Sequence, residues 1–371
     1  MSIVRRICLK CKSNRTLTGC RMLSSGDSPP LGVLRPLIGL EVHAQLSTSQ
    51  KLFSPSRRPS SPSNSSSSLP PPNTLLSPFD VSIPGSLPVL NKECVSKAIV
   101  AAAALGCEIR NVSRFERKHY KYPDLPHGYQ ITQNKHPIAV SGSLLYCSET
   151  GKSTKVKQVQ LETDTGKSKR VAPGSEEVDV DYNRAGSALI EVVFEPDIMS
   201  AKDAASALRA LRDLLKSLGV CDGRFELGEV RCDLNVSMWR GEGEMGDRVE
   251  VKNMNSIRAV AAAAIYEIKR QTKALESGGT VTRETRMFDK REGVTVPMRG
   301  KEEIYDYRFL VDPDVPPLVL SEIEGLDVSA LVAEAAATED VGERLAAEHG
   351  IKADAANVLA ANAAEAEAFV G

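Results

Sequence analysis

The stretch Leu37-Ile38-Gly39-Leu40-Glu41-Val42-His43-Ala44-Gln45-Leu46 constrains the fold more than any other part of this 371-residue chain. Apolar and polar residues alternate along it. Side chains of a β-strand point to opposite faces in turn, so Leu40, Val42, Ala44 and Leu46 share one face and Glu41, His43 and Gln45 the other. The pattern predicts a strand with one face on a core. The other face carries a carboxylate and an imidazole two residues apart, a pair suited to holding a metal ion or moving a proton. Taken alone, the stretch fits an ordinary half-exposed strand equally well.

The same device recurs. In Gln158-Val159-Gln160-Leu161-Glu162-Thr163-Asp164, Val159 and Leu161 face one way, and Glu162 and Asp164 share the other face. In the run from Arg231 to Met238, Cys232, Leu234, Val236 and Met238 turn inward while Arg231, Asp233, Asn235 and Ser237 turn outward; Asp222, Glu226 and Glu229 lie just before it. Glu250-Val251-Lys252-Asn253 alternates again. Magnesium takes hard oxygen ligands, usually one or two carboxylates together with phosphates. Arginine and lysine neutralise the charge on a transferred phosphoryl group. A broad sheet surface can supply both. Each strand by itself also fits a solvated face with cross-strand ion pairs; the set favours a site.

Other motifs narrow the chemistry. Gly166-Lys167-Ser168 and Gly151-Lys152-Ser153 lack the upstream glycine of a phosphate loop, because Leu161 and Tyr146 occupy those positions. No Gly-x-Ser-x-Gly elbow occurs, and the five histidines show no spacing that implies a Cys/His or Ser/His nucleophile. Lys118-His119-Tyr120-Lys121-Tyr122-Pro123-Asp124 and Tyr305-Asp306-Tyr307-Arg308-Phe309 interleave aromatics with cations. Such runs can stack bases and hold phosphates, which makes Lys118 and Tyr122 candidates for nucleotide binding. Loops that merely cap a sheet have the same composition.

Hydrophobic residues make up 42% of the chain, enough for a sizeable core, and the net charge of −1 argues against a general nucleic-acid coat. No apolar run is long enough to span a membrane. The eight cysteines follow no framework spacing, which suits a reducing compartment. Six basic residues and no acidic one precede Asp27, so residues 1–34 fit a mitochondrial presequence better than a secretory signal, and the matrix is the expected location. Residues 54–77 hold a Ser/Pro-rich insertion expected to be disordered. Helices are predicted over 92–105, ended by Gly106, over 201–218, ended by Gly219, and over 257–276. Strands and helices mix without a regular βαβ repeat, so the predicted class is α+β with mainly antiparallel sheets over 35–320. An Ala- and Glu-rich helical domain is expected to start at 321 and to be incomplete at 371.

Several runs closely resemble the B subunit of the aspartyl/glutamyl-tRNA amidotransferase family. They are Ile38–His43 with Lys51–Ser54, Pro84–Asn91, Arg117–Gln130, Asp164–Ser168, Asp181–Gly186 with Glu191 and Glu195–Ile198, Arg231–Asp233, Val251–Ser256, Glu284–Arg286 and Asp306–Arg308. The resemblance implies a cradle-like catalytic domain similar to the glutamine synthetase and guanidino-kinase fold. It implies an ATP- and Mg²⁺-dependent carbon–nitrogen ligase: the side chain of Glu misattached to glutamine tRNA is phosphorylated, and ammonia displaces the phosphate. Ammonia would come from a separate amidase subunit, and a small third subunit would complete the complex. By motif position, Glu41, His43 and Glu162 resemble the metal ligands, Asp164, Arg231 and Lys252 join them as catalytic candidates, and Asp222, Glu226 and Asp233 are candidates for nucleotide binding. The chain departs from the family at Thr163, where relatives often carry a second glutamate. It also lacks the cysteines that hold a structural zinc in many relatives, so no zinc is expected. Two other readings remain: a ligase acting on a small molecule, and a non-catalytic tRNA-binding scaffold for the amidase.

Overall fold

The computed structural model describes residues 34–59, 70–172, 175–241, 245–298 and 308–337. The region expected to be a presequence lies outside the described residues apart from its last position, as do Tyr305, Asp306 and Tyr307. Residues 328–337 are helical and bury Ala335 in the core; the rest of the expected helical domain also lies outside the described residues.

The alternating stretch forms β1 (Arg35–Gln45). It is followed by α1 (Lys92–Ala104), β2 (Glu108–Ile109), β3 (Val112–Ser113), β4 (Glu116–His119) and β5 (Tyr129–Thr132). β6 (Ala139–Cys147) and β7 (Lys152–Thr163) pair next, then β8 (Lys167–Arg170) and β9 (Val178–Asp181). β10 (Ala188–Phe194) leads into α2 (Ala201–Ser217), and β11 (Val230–Trp239) and β12 (Val249–Met254) lead into α3 (Ile257–Glu276). β13 (Glu284–Asp289), β14 (Val294–Pro297), β15 (Arg308–Val311) and β16 (Leu318–Val319) follow.

Among the described residues the largest sheet has nine strands in the order β14-β13-β12-β11-β1-β10-β7-β6-β2. Its neighbours are antiparallel except β12 and β13, which are parallel and joined through α3, the crossover a parallel pair needs. This is the expected α+β arrangement. Each helix starts where a side chain caps it: Asn91 accepts from the Glu93 amide, Ser200 from Asp203 and Ser256 from Ala259. Gly106 and Gly219, just beyond the first two helices, take φ of +62° and +61°, the left-handed conformation that glycine adopts without a Cβ penalty.

Helices α1, α2 and α3 each contact strands of this sheet: α1 lies on β6 and β7, α2 on β6 and β1, and α3 on β11, β12 and β14. Beneath them lie Ile38, Leu40, Val42 and Ala44 of β1, Ile190 and Val192 of β10, and Leu234 and Val236 of β11, all within 1% of full burial. Burying each large aliphatic side chain is worth about 1.5–3 kcal/mol. The polar face of the sheet is left for other work, and β7 carries a second layer on it. A three-stranded sheet in the order β15-β4-β5 is attached there. Gln130 Nε2 donates to Glu162 Oε1 (3.1 Å) and to the Thr163 carbonyl (2.6 Å), and the Ile131 amide donates to Thr163 Oγ1 (2.9 Å).

The disorder expected over 54–77 does not hold for its flanks. Composition underrates them, because short polar side chains satisfy buried groups here. Lys51 and Asp80 form an ion pair (3.2 Å) whose side chains are both fully buried. Lys51 Nζ also donates to the Leu75 carbonyl (2.9 Å), while Asp80 accepts from Ser54 Oγ (2.8 Å) and the Ser77 amide (2.8 Å). Arg58 pairs with Asp222 (2.9 Å), and the Thr74 and Leu75 amides both donate to Asn183 Oδ1 (2.8 Å). Residues 60–69 lie outside the described residues. Removing one member of a buried pair leaves the other charge uncompensated. Lys51→Met should therefore lower unfolding free energy by about 3–5 kcal/mol in denaturant titrations. A loss below about 1 kcal/mol, typical of a surface pair, would contradict this role.

Candidate functional site

The register of β1 against its two neighbours builds the site. His43 lies opposite Glu191 of β10 and opposite Arg231 of β11; Glu41 lies opposite Asp233. On the far side of β10, Glu191 lies opposite Gln160 and Leu189 opposite Glu162 of β7. Directly opposed residues share a face, and diagonal neighbours are still within reach of long side chains. His43, Glu191 and Glu162 therefore converge from three adjacent strands. His43 Nε2 is 3.4 Å from Glu191 Oε2 and 3.7 Å from Glu162 Oε1. One ligand atom from each of the three lies within 4.8 Å of the others.

The electrostatics of this trio are set by burial and proximity. Burial opposes charge on the His43 imidazole, but the Glu191 carboxylate and its hydrogen bond, reinforced by Glu162, outweigh it and raise the imidazole to about 9. Burial likewise opposes ionisation of Glu191, and the His43 charge overcomes it and holds Glu191 low. Gln160 Nε2 donates to Glu191 Oε2 (2.6 Å), fixing that carboxylate. Tyr120 donates to Gln130, which in turn donates to Glu162 Oε1, fixing a second one. Glu162 Oε2 is buried with no hydrogen-bond partner, and Lys118 Nζ stands 3.9 Å from it.

The trio opens on a cleft of about 230 Å³ that also receives Glu41, Asp233, Glu250, Lys118, Lys252 and Phe309. Burial and the neighbouring carboxylates of Glu191, Asp233 and Glu250 raise Glu41, against a hydrogen bond from Asn235 Nδ2 (2.9 Å). Lys252 Nζ lies between Asp233 (2.9 Å) and Glu250 (3.1 Å), whose charges outweigh burial and raise it.

The sequence candidates thus divide. Glu41, His43, Glu162, Asp233, Lys252 and Lys118 meet at the cleft. Asp164 does not line it. That carboxylate is buried behind it, where Arg231 (2.8 Å) and Arg184 (3.5 Å) overcome the effect of burial and keep it ionised. Arg231 stands between this group and His43, opposing the imidazole charge. Asp222 lies further along, bonded to Ser47, Arg58 and Arg224, and Glu226 is exposed beside it. Tyr122 stacks edge-on against Tyr120 (5.6 Å) on an exposed turn. None of these three lines the cleft. Glu191 is the residue that reading the strands missed as a ligand. Its signal was a single carboxylate in the otherwise apolar strand Ala188–Phe194, which only the β1 register turns towards His43.

Residues 36–324 match the GatB/GatE catalytic domain. The chain is 46% identical over 309 residues to the mitochondrial B subunit of glutamyl-tRNA(Gln) amidotransferase from Danio rerio; the match covers 80% of this chain and 54% of that protein. The human protein of the same name is 46% identical over 79% of this chain and 53% of its own length. The B subunit of an aspartyl/glutamyl-tRNA(Asn/Gln) amidotransferase from Neorickettsia sennetsu is 43% identical over 88% of this chain and 64% of its own length. The chain thus spans about half the length of the two mitochondrial relatives. The match over the whole sheet and its cleft shows that this chain belongs to the GatB/GatE catalytic-domain family.

Proposed function

We propose that this chain is the activating and amidating subunit of a mitochondrial glutamyl-tRNA(Gln) amidotransferase. In this reading it phosphorylates the side chain of Glu on mischarged tRNA(Gln) with ATP, and ammonia from an amidase subunit displaces phosphate to leave Gln-tRNA(Gln). A small third subunit completes the complex, which works in the matrix. In this reading the catalytic domain is a cradle similar to that of glutamine synthetase and guanidino kinases, which the large, mainly antiparallel sheet supports. The observation that carries the reading is the convergence of His43, Glu162 and Glu191 in a cleft rimmed by Lys118 and Lys252.

Charge explains why a divalent cation belongs there. Five carboxylates line the cleft (Glu41, Glu162, Glu191, Asp233, Glu250) against two lysines and His43. Such a cleft repels a polyphosphate unless a cation is present, and a bound cation reverses the local sign. The donor set fits: one imidazole nitrogen and two carboxylates within 4.8 Å, with Glu162 Oε2 buried and without a hydrogen-bond partner. His43, which would give up its proton to the solvent on binding, Glu162 and Glu191 would hold Mg²⁺, which supplies charge neutralisation on the phosphoryl oxygens. Lys118 and Lys252 bind and orient the anionic ends of ATP and the glutamyl carboxylate. A carboxylate is a poor electrophile; once phosphorylated, its carbonyl carbon accepts ammonia, and phosphate leaves with the bonding pair. Asp233 and Glu250 hold Lys252 above its ordinary value, which suits it to binding an anion. Among the described residues that line the cleft there is no serine or cysteine, in keeping with a separate amidase subunit.

With the amidase partner, Glu-charged tRNA(Gln) and Mg²⁺, ATP cleavage should be stimulated by the charged tRNA. Glu191→Gln should lower it at least about 100-fold, the upper end of what loss of an outer-shell partner costs. Cleavage without the tRNA would favour a small-molecule ligase, and tRNA binding with no cleavage at all a scaffold. In protein free of divalent cations, His43 should titrate near 9 by NMR, and Glu191→Gln should bring it down sharply. Folding favours the charged imidazole, so His43 stabilises this form below its ordinary value of 6.5, and the contribution is lost as pH rises towards 9.

A further inference from the structure

Lys118 and Phe309 reach the cleft from the small sheet, so their height above Glu162 depends on what holds that sheet together. Opposed pairs share a face: Lys118 lies opposite Gln130 of β5 and Phe309 of β15, and all three turn to the cleft side. Arg117, on the central strand β4, turns to the other side with Tyr129. Its guanidinium lies 4.4 Å from the centre of the Tyr129 ring, on β5. Nε donates to Asp312 Oδ2 (2.8 Å) and Nη2 to Asp314 Oδ2 (2.7 Å), both just beyond β15. Asp312 is fully buried, and its other oxygen accepts from the Asp314 (2.8 Å) and Val315 (3.2 Å) amides. One planar side chain therefore ties all three strands together, using the two-pronged geometry and ring stacking that lysine lacks.

We propose that Arg117 is a positioning residue for the reaction: its clamp on Tyr129, Asp312 and Asp314 sets where Lys118 stands over the carboxylates of the cleft. The proposal rests on the reading above, in which Lys118 holds a reacting anion.

The test is a double-mutant cycle in the assembled enzyme, measuring kcat and KM for ATP with Glu-charged tRNA(Gln). Arg117→Gln should lower kcat/KM about tenfold or more, and Lys118→Ala should lower it further. The double variant should be no worse than Lys118→Ala alone, because Arg117 acts through Lys118; losses that multiply would overturn the proposal. Asp314 is 42% exposed, so Asp314→Asn preserves folding if Arg117→Gln does not, and it should show the same non-additivity with a smaller loss. Reductive methylation of Lys118 needs no turnover. Its rate should change several-fold in Arg117→Gln or Asp314→Asn if the clamp positions the amine, and an unchanged rate would contradict the proposal. Absence of tRNA-stimulated cleavage in the unmodified enzyme would instead remove the functional reading, leaving the methylation result to decide the positioning role.

Discussion

The structure depends on β1 having two unlike faces and standing inside a nine-stranded sheet. A strand with partners on both sides cannot slip by one residue without exchanging its faces. A slip here would put Glu41 and His43 under the helices and Leu40 and Val42 into the cleft. Burial of the apolar face therefore fixes the register of β1 against β10 and β11, and that register sets which polar side chains meet. The core energy and the site geometry are two consequences of the same alternation.

Grouping carboxylates in this way carries an electrostatic cost, and the fold meets it locally. Glu162 and Glu191 are buried, yet each receives a side-chain amide, from Gln130 and Gln160 respectively, and both face the His43 charge. Asp164 is clamped by two arginines. The Thr163 hydroxyl accepts the Ile131 amide and so ties β5 to β7. Among the described residues that line it, the cleft holds more carboxylates than cations, as expected of a place shaped to take a cation.

Much of the fold was legible because local rules and tertiary packing agree in it. Period-two alternation located β1, β7, β11 and β12, and the helices stop at Gly106 and Gly219 where those residues predict. The sequence also exposed Glu41, His43, Glu162, Asp233 and Lys252 as residues of one polar face. Pairing register hid the rest. Glu191 becomes a partner of His43 only when β10 is laid antiparallel on β1, and nothing local announces that pairing. Asp222 and Glu226 are close in sequence to β11 but precede it, so they sit beyond the end of the cleft, with Asp222 bonded to Ser47 and Arg58. Composition misled at residues 54–59 and 70–77, because a Ser- and Pro-rich segment reads as unable to bury anything. Here Ser54 and the Ser77 amide satisfy a buried aspartate.

The central claim is that His43, Glu162 and Glu191 together hold a divalent cation. Binding Mn²⁺ as a paramagnetic substitute for Mg²⁺ and measuring electron–nuclear coupling tests it most directly. The expected result is one tightly held ion coupled to a single imidazole nitrogen, with the coupling lost in His43→Ala and the binding weakened in Glu191→Gln. An ion bound with no nitrogen coupling, placed instead among Glu41, Asp233 and Glu250, would contradict it.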